Sequence, residues 1–363
     1  MTRKLWFQIG VAILLSLFII KYAVELKWIL RPISIVFQTI FLPVLFGGVL
    51  FYITVPLKEL LMRRLKFYKW ASMLTIVVLL IGLFALAIMV VGPPIGQQVA
   101  NLVDNAPEIV RATNDFILDT IEIVGDPADL PDWVQDAIAS ATEFAKNLSL
   151  SLGNWIVQIF QSVVQGTLIL VLTPFFFIFM LKDHDKLVPF ITQFFTGERK
   201  EWVKKTIKDI DSVLNLYIRG QLLISAILAT MLFIGYTAIG LEFALLLSVF
   251  ALFMNVIPFF GPWIAFVPAL LISAFQDPIL IIWVSVITLA AQQIDANLIT
   301  PNIMGKTLNV HPLTIITILL AAGKIAGFIG ILLAVPAYAV GKTIISNIYD
   351  RRKEIKETAI KDV

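Results

Sequence analysis

Apolar residues gather into long runs, over 7–22, 33–55, 70–91, 155–180 and 216–236, separated by polar, basic or proline-broken stretches. Runs of this kind predict helices that cross a hydrocarbon core about 30 Å thick. Beyond residue 240 the pattern shortens. The run over 243–256 stops at Ile257-Pro258-Phe259-Phe260-Gly261-Pro262, the run over 263–275 stops at Gln276-Asp277-Pro278, and a third covers 279–290. Pieces this brief predict discontinuous helices of the type that lines transport paths, the alternative being a tight loop between ordinary helices at 257–262. A last apolar pair, 313–321 and 328–340, flanks Gly323-Lys324-Ile325-Ala326-Gly327 and predicts a hairpin.

The most unusual stretch is a polar wedge, Gln292-Gln293-Ile294-Asp295-Ala296-Asn297 followed by Pro301-Asn302-Ile303-Met304-Gly305-Lys306 and His311-Pro312. A carboxylate and a broken backbone are tolerated at membrane depth only where protein or a water-filled path surrounds them.

Composition agrees with the pattern. The chain of 363 residues is 59% apolar and 15% charged, carries a net charge of +3, and has a mean hydropathy of +0.91, outside the range of a water-soluble domain. The expected fold is all-α, a polytopic integral membrane protein with about eight membrane segments. Lys and Arg concentrate in Arg3-Lys4, the amphipathic stretch 58–69, the stretch 182–208 and the tail after Arg351, which places both termini in the cytoplasm of a cell-membrane protein. Residues 95–153 carry ten carboxylates against Arg111 and Lys146, a local charge of −8. With apolar residues at helical spacing and a turn at 125–131, they predict an extracytoplasmic helical hairpin that serves as a spacer, a lid or an oligomer contact. The domain reading is therefore 1–94, three helices; 95–153, the hairpin; 154–215, the fourth helix and an amphipathic segment; 216–347, the broken core; and 348–363, a basic tail.

Soluble chemistry finds no foothold. There is no cysteine, the two histidines are His184 and His311, and no nucleotide-binding, zinc-protease or nucleophile-elbow motif is present; Gly341-Lys342-Thr343 lacks the leading glycine of a phosphate loop. Neither an enzyme, a cofactor nor a nucleic-acid partner is expected. The expected partners are membrane lipids and a small polar solute or a monovalent cation or proton, and the hairpin leaves room for a homo-oligomer.

Several stretches in order, Leu181-Lys182-Asp183, Tyr217-Ile218-Arg219-Gly220-Gln221, Asn255-Val256-Ile257-Pro258-Phe259-Phe260-Gly261-Pro262, the wedge, and Gly323, Gly327, Gly330 and Ala334-Val335-Pro336, resemble the autoinducer-2 exporter (AI-2E) family, also called the PerM family, to about residue 345. The resemblance implies a membrane transporter; some members are linked to export of the polar signal autoinducer-2 and others to sodium(lithium)/proton exchange. One departure stands out. Family members usually carry Glu, then Gly or Asn, then Asn in the wedge, where this chain has Asp295-Ala296-Asn297. The carboxylate keeps its place with one methylene less reach, so a ligand geometry does not carry over unchanged.

Asp295 could bind a cation, exchange a proton or accept hydrogen bonds from a polyol. The expected path comprises Gln292, Gln293, Asp295 and Asn297 with Arg219, Gln221 and the Asn255, Pro258 and Gly261 element, and more weakly Lys306, His311 and Lys324. The bland reading makes the wedge groups headgroup-level helix ends, and Arg219 a lipid-phosphate anchor. Arg219 could instead pair with Asp295 or Glu242, and those two carboxylates are the candidates if a cation is coupled. Three functions are open: efflux of a small polar solute, a sodium(lithium)/proton antiporter, and a non-transporting scaffold.

Overall fold

The computed structural model describes residues 27–124, 167–305 and 310–361, with scattered positions within 10–22 and 131–143. Most of the first apolar run, the turn at 125–131, the second half of the acidic hairpin, the start of the fourth run and Lys306 lie outside the described residues. Every described element is helical: α1 (Lys27–Arg64), α2 (Lys69–Val124), α3 (Thr167–Thr192), α4 (Gly197–Ala238), α5 (Ala244–Met254), α6 (Phe260–Gln276), α7 (Pro278–Ile294), a π-helical stretch (Asp295–Ile299), α8 (Thr300–Met304) and α9 (Pro312–Lys361). The segments Thr39–Arg64, Lys69–Leu102, Gly197–Ala238, Pro278–Met304 and Pro312–Lys353 are each long and apolar enough to cross a membrane. Ile81, Met89 and Ile282 on these helices are more than half exposed, an apolar surface that water would not tolerate and lipid does. The chain is a multi-pass membrane protein.

Two compact units divide it, Met1–Phe51 with Gly166–Lys182, and Tyr52–Gln165 with Asp183–Val363. In the first, Phe51, Phe177 and Leu181 are buried. In the second, α4, α5, α6, α7 and α9 meet around Ile224, Leu228, Leu247, Ala269, Val284 and Leu319. α5 spans only 11 residues, about 16 Å of helix and half of a hydrocarbon core.

The apolar run expected to close at 91 does not end there, whereas the turn expected at 323–327 is present. α2 continues through Gly92-Pro93-Pro94 without ending; proline's fixed φ of about −65° is a helical value, so the helix loses hydrogen bonds there without having to turn. Beyond the prolines, α2 packs into the second unit, where Leu102 is buried and the Gln98 side-chain carbonyl accepts from the Leu246 amide at 2.9 Å. The final hairpin, in contrast, turns where its glycines predict. Ala326 and Gly327 leave helical geometry, Gly327 with φ of 60°, and a Cβ on Gly330 would overlap the Ala322 carbonyl. Eight residues along a straight helix are about 12 Å apart, so the chain has reversed.

A polar cluster joins α1, α2, α3 and α4 within the second unit. The Tyr52 hydroxyl donates to Asp211 at 2.9 Å, and His184 Nε2 lies 3.5 Å from the other Asp211 oxygen. Lys69 pairs with Asp185 at 2.6 Å. The hydrogen bond to Asp211 raises the His184 pKa above its ordinary 6.5, with burial opposing and Asp185 assisting. A raised histidine pKa contributes stability that is complete below 6.5 and is lost as pH rises through the folded value. The Tm advantage of the wild type over His184→Asn should therefore shrink as pH is taken from about 6 to about 9. A difference constant over that range would remove His184 as a charged partner.

Candidate transport site

α4 contributes a stripe, Tyr217, Gln221, Ile224 and Leu228, at spacings that keep the four on one helical face. Opposite stand the α5–α6 break and the wedge, and between them is a cavity of about 720 Å³. Six residues decide its chemistry: Tyr217, Gln221, Asn255, Gln292, Gln293 and Asp295 all line it.

The break is built by backbone contact. α5 ends at Met254 with Asn255 as its cap, Phe259 takes a left-handed φ of 66°, and α6 starts at Phe260. Gly261 sits directly on the Met254 carbonyl and the Asn255 backbone, so a Cβ there would overlap both. Gln221 Nε2 donates to the Asn255 backbone carbonyl at 2.7 Å in a buried setting and ties α4 to the break. Asn255 itself is 3% exposed. Neither polar atom of its side chain, nor the buried Tyr217 hydroxyl, has a hydrogen-bond partner among the described residues. Buried groups left in this state cost about 1–3 kcal/mol each. These atoms lie beneath the surface of the cavity wall, so a ligand that offers hydroxyl or amide groups recovers that cost only where the wall shifts to meet it.

The wedge is helical rather than broken until Gly305, which ends it with φ of 57°. α7 passes into π-helix at Asp295, and the Thr300 amide bonds back five residues to the Asp295 carbonyl. Pro301 explains the widening: it has no N–H to give, and its ring crowds the carbonyl four residues earlier. The widened turn brings side chains five apart into register, and the Thr300 hydroxyl donates to Asp295 Oδ1 at 2.7 Å. Asp295 itself lines the cavity. Asn297, expected beside it, is exposed and turns back to Gln293, donating to its backbone carbonyl at 2.8 Å and its side-chain oxygen at 3.1 Å.

Other expected members stand elsewhere. Pro258 lines the cavity, whereas Gly261 acts through packing. Arg219 is exposed and donates to Asn215 at 3.3 Å, one turn back on its own helix; among the described residues it pairs with neither Asp295 nor Glu242. The helical period gives the reason, because Tyr217 and Gln221 face the cavity and Arg219, two residues from each, points about 200° away. Glu242 is exposed, and its amide is held by the Gln276 side chain. His311 caps α9, its Nδ1 accepting from the Leu313 amide at 3.2 Å. Lys324 is exposed next to the hairpin turn. Thr288 and Thr300, which the sequence did not single out, also line the cavity, as does Tyr217, noted there only as the start of the 217–221 stretch. Thr288 betrays itself only by a buried contact with the Tyr236 hydroxyl at 2.8 Å.

The model of the AI-2E family transporter matches residues 7–350. The chain belongs to the AI-2E transporter family. Three relatives span nearly the same length: "Putative transport protein YueF" of Bacillus subtilis, 33% identical over 93% of this chain and 91% of that one; "Putative transport protein YrrI" of the same organism, 30% identical over 96% and 97%; and "Putative permease PerM" of Escherichia coli K12, 27% identical over 85% and 87%. Membership makes this chain a membrane transporter, and the cavity between α4, the α5–α6 break and the wedge is its candidate AI-2E transport site.

Proposed function

We propose that the protein exports a small, neutral, polar solute such as an autoinducer-2-like signal through the α4–wedge cavity. The carrying observation is a cavity wall that sets the amides of Gln292 and Gln293 beside one carboxylate, Asp295, already anchored by the Thr300 hydroxyl. That set matches vicinal hydroxyls, which both donate and accept. A volume of about 720 Å³ lies within the range of small-molecule sites and far exceeds a bare monovalent cation. Among the described residues, no group of three acidic or histidine side chains gathers to hold a metal ion. The protein lies in the cell membrane with both termini cytoplasmic, a reading supported by Arg63 and Arg64 at the end of α1 and Arg351-Arg352-Lys353 near the end of α9.

The test is efflux of a radiolabelled pentitol from proteoliposomes, run beside a pH-sensitive dye in vesicles given a sodium pulse. Saturable pentitol flux without a sodium-dependent dye signal is the expected result. A sodium-dependent proton signal that Asp295→Asn abolishes, with no pentitol flux, would establish the antiporter instead.

A further inference from the structure

A second, smaller cavity of about 370 Å³ lies between α4 and α9, lined by Asp209, Ser212, Tyr338, Lys342, Thr343 and Ser346 among others. Its wall is somewhat more polar than that of the central cavity. Ser212, Lys342 and Ser346 are exposed, and Ala339 is buried at its base. Asn347 braces it, donating to Asp209 at 2.9 Å and to Thr206 at 3.3 Å, while Trp202 donates to the Asn347 backbone carbonyl at 3.2 Å.

Val310, half-buried, lines both cavities. The same two helices also line both. On α4, Asp209 and Val213 face the small chamber, and Tyr217, Gln221, Ile224 and Leu228 face the large one, at spacings of three or four that form one continuous stripe. On α9, Val335 faces the large chamber, and Ala339, Thr343 and Ser346 face the small one. From Asp209 to Leu228 the stripe rises roughly 28 Å, close to the hydrocarbon thickness of a bilayer. The two cavities thus lie along one stripe and share Val310 in their linings.

We propose that the small chamber is the cytoplasmic entry site for the transported neutral hydroxylated solute, and that Val310 is the partition between it and the central cavity. This rests on the reading of the central cavity as the transport site. The solute meets hydroxyls and the Asp209 and Lys342 charges first, exchanges part of its hydration there, and must pass Val310 to reach Asn255 and Asp295.

The chain has no cysteine, so one introduced thiol reports alone. In inside-out vesicles carrying the full chain, a membrane-impermeant thiol reagent should label Ser346→Cys rapidly, and millimolar xylitol should slow that labelling. It should label Gln292→Cys slowly, and roughly ten times faster once Val310→Ala is added; Val310→Trp should slow it and reduce pentitol flux. Labelling of Ser346→Cys only from the opposite face, or a Gln292→Cys rate indifferent to both Val310 variants, would overturn the proposal. Val310→Ala and Val310→Trp act in opposite directions, so a misfolded variant cannot produce both expected results. Failure of the transport reading would appear separately, as absent pentitol flux in a wild type whose thiol reporters behave as described.

Discussion

Gly261→Ala should lower the Tm of the purified protein by about 5–10 °C and cut the yield of monodisperse protein several-fold. The added methyl would meet the Met254 carbonyl and the Asn255 backbone, and no side-chain rotation can relieve a clash between main chains. Overpacking of this kind costs about 1–3 kcal/mol or more. The cost would fall on the segment that presents Asn255 to the cavity, so solute flux should decline further than stability alone explains. Gly341→Ala is the control: a Cβ there meets nothing within 4 Å, and alanine should be neutral or stabilising by about 0.5–1 kcal/mol within a helix. Equal Tm values for Gly261→Ala and wild type would mean that the break is loosely packed and does not fix Asn255.

The second large effect belongs to Asp295. With Thr300 already bonded to one oxygen, the carboxylate offers the solute a charged acceptor, and hydrogen bonds to charged groups contribute about 1.5–3 kcal/mol. Asp295→Asn keeps an acceptor but loses the charge, and should raise the half-saturating pentitol concentration about ten-fold, the equivalent of about 1.4 kcal/mol, with maximal flux little changed. Asp295→Leu removes the acceptor and orphans Thr300, and should reduce flux more than a hundred-fold. If Asp295→Asn and Asp295→Leu proved equally inactive, the charge itself would be indispensable, as ion coupling requires.

Much of the site is legible in the chain alone. Pro258, Gly261 and Pro262 announce the break, Gly323 and Gly327 announce the last hairpin, and Asp295 among amides marks the wedge. Arg219 misleads because its charge draws attention away from the helical period; Tyr217 and Gln221, four apart, already define the inward face and leave Arg219 outside it. The π-helical turn escapes a linear reading because Pro301 in a polar stretch suggests a break, whereas the chain absorbs it by widening one turn. Thr288 escapes for a different reason. A threonine in an apolar helix has no pattern of its own, and only the packing of α7 against α4 shows which face is wet. Likewise, nothing along the chain brings Val310 beside both the Asp209 and the Asn255 neighbourhoods; that depends on α9 returning beside α4.

Passage of solute through the cavity at the wedge is most directly tested by pentitol flux through proteoliposomes of Gln292→Cys before and after complete reaction with a bulky thiol reagent. Gln292 is half-buried on the cavity wall. Flux should persist before modification, reduced by the loss of the Gln292 amide, and be almost completely lost after it, and the loss should be slower when excess pentitol is present during the reaction. Undiminished flux through fully modified protein would contradict a path at the wedge.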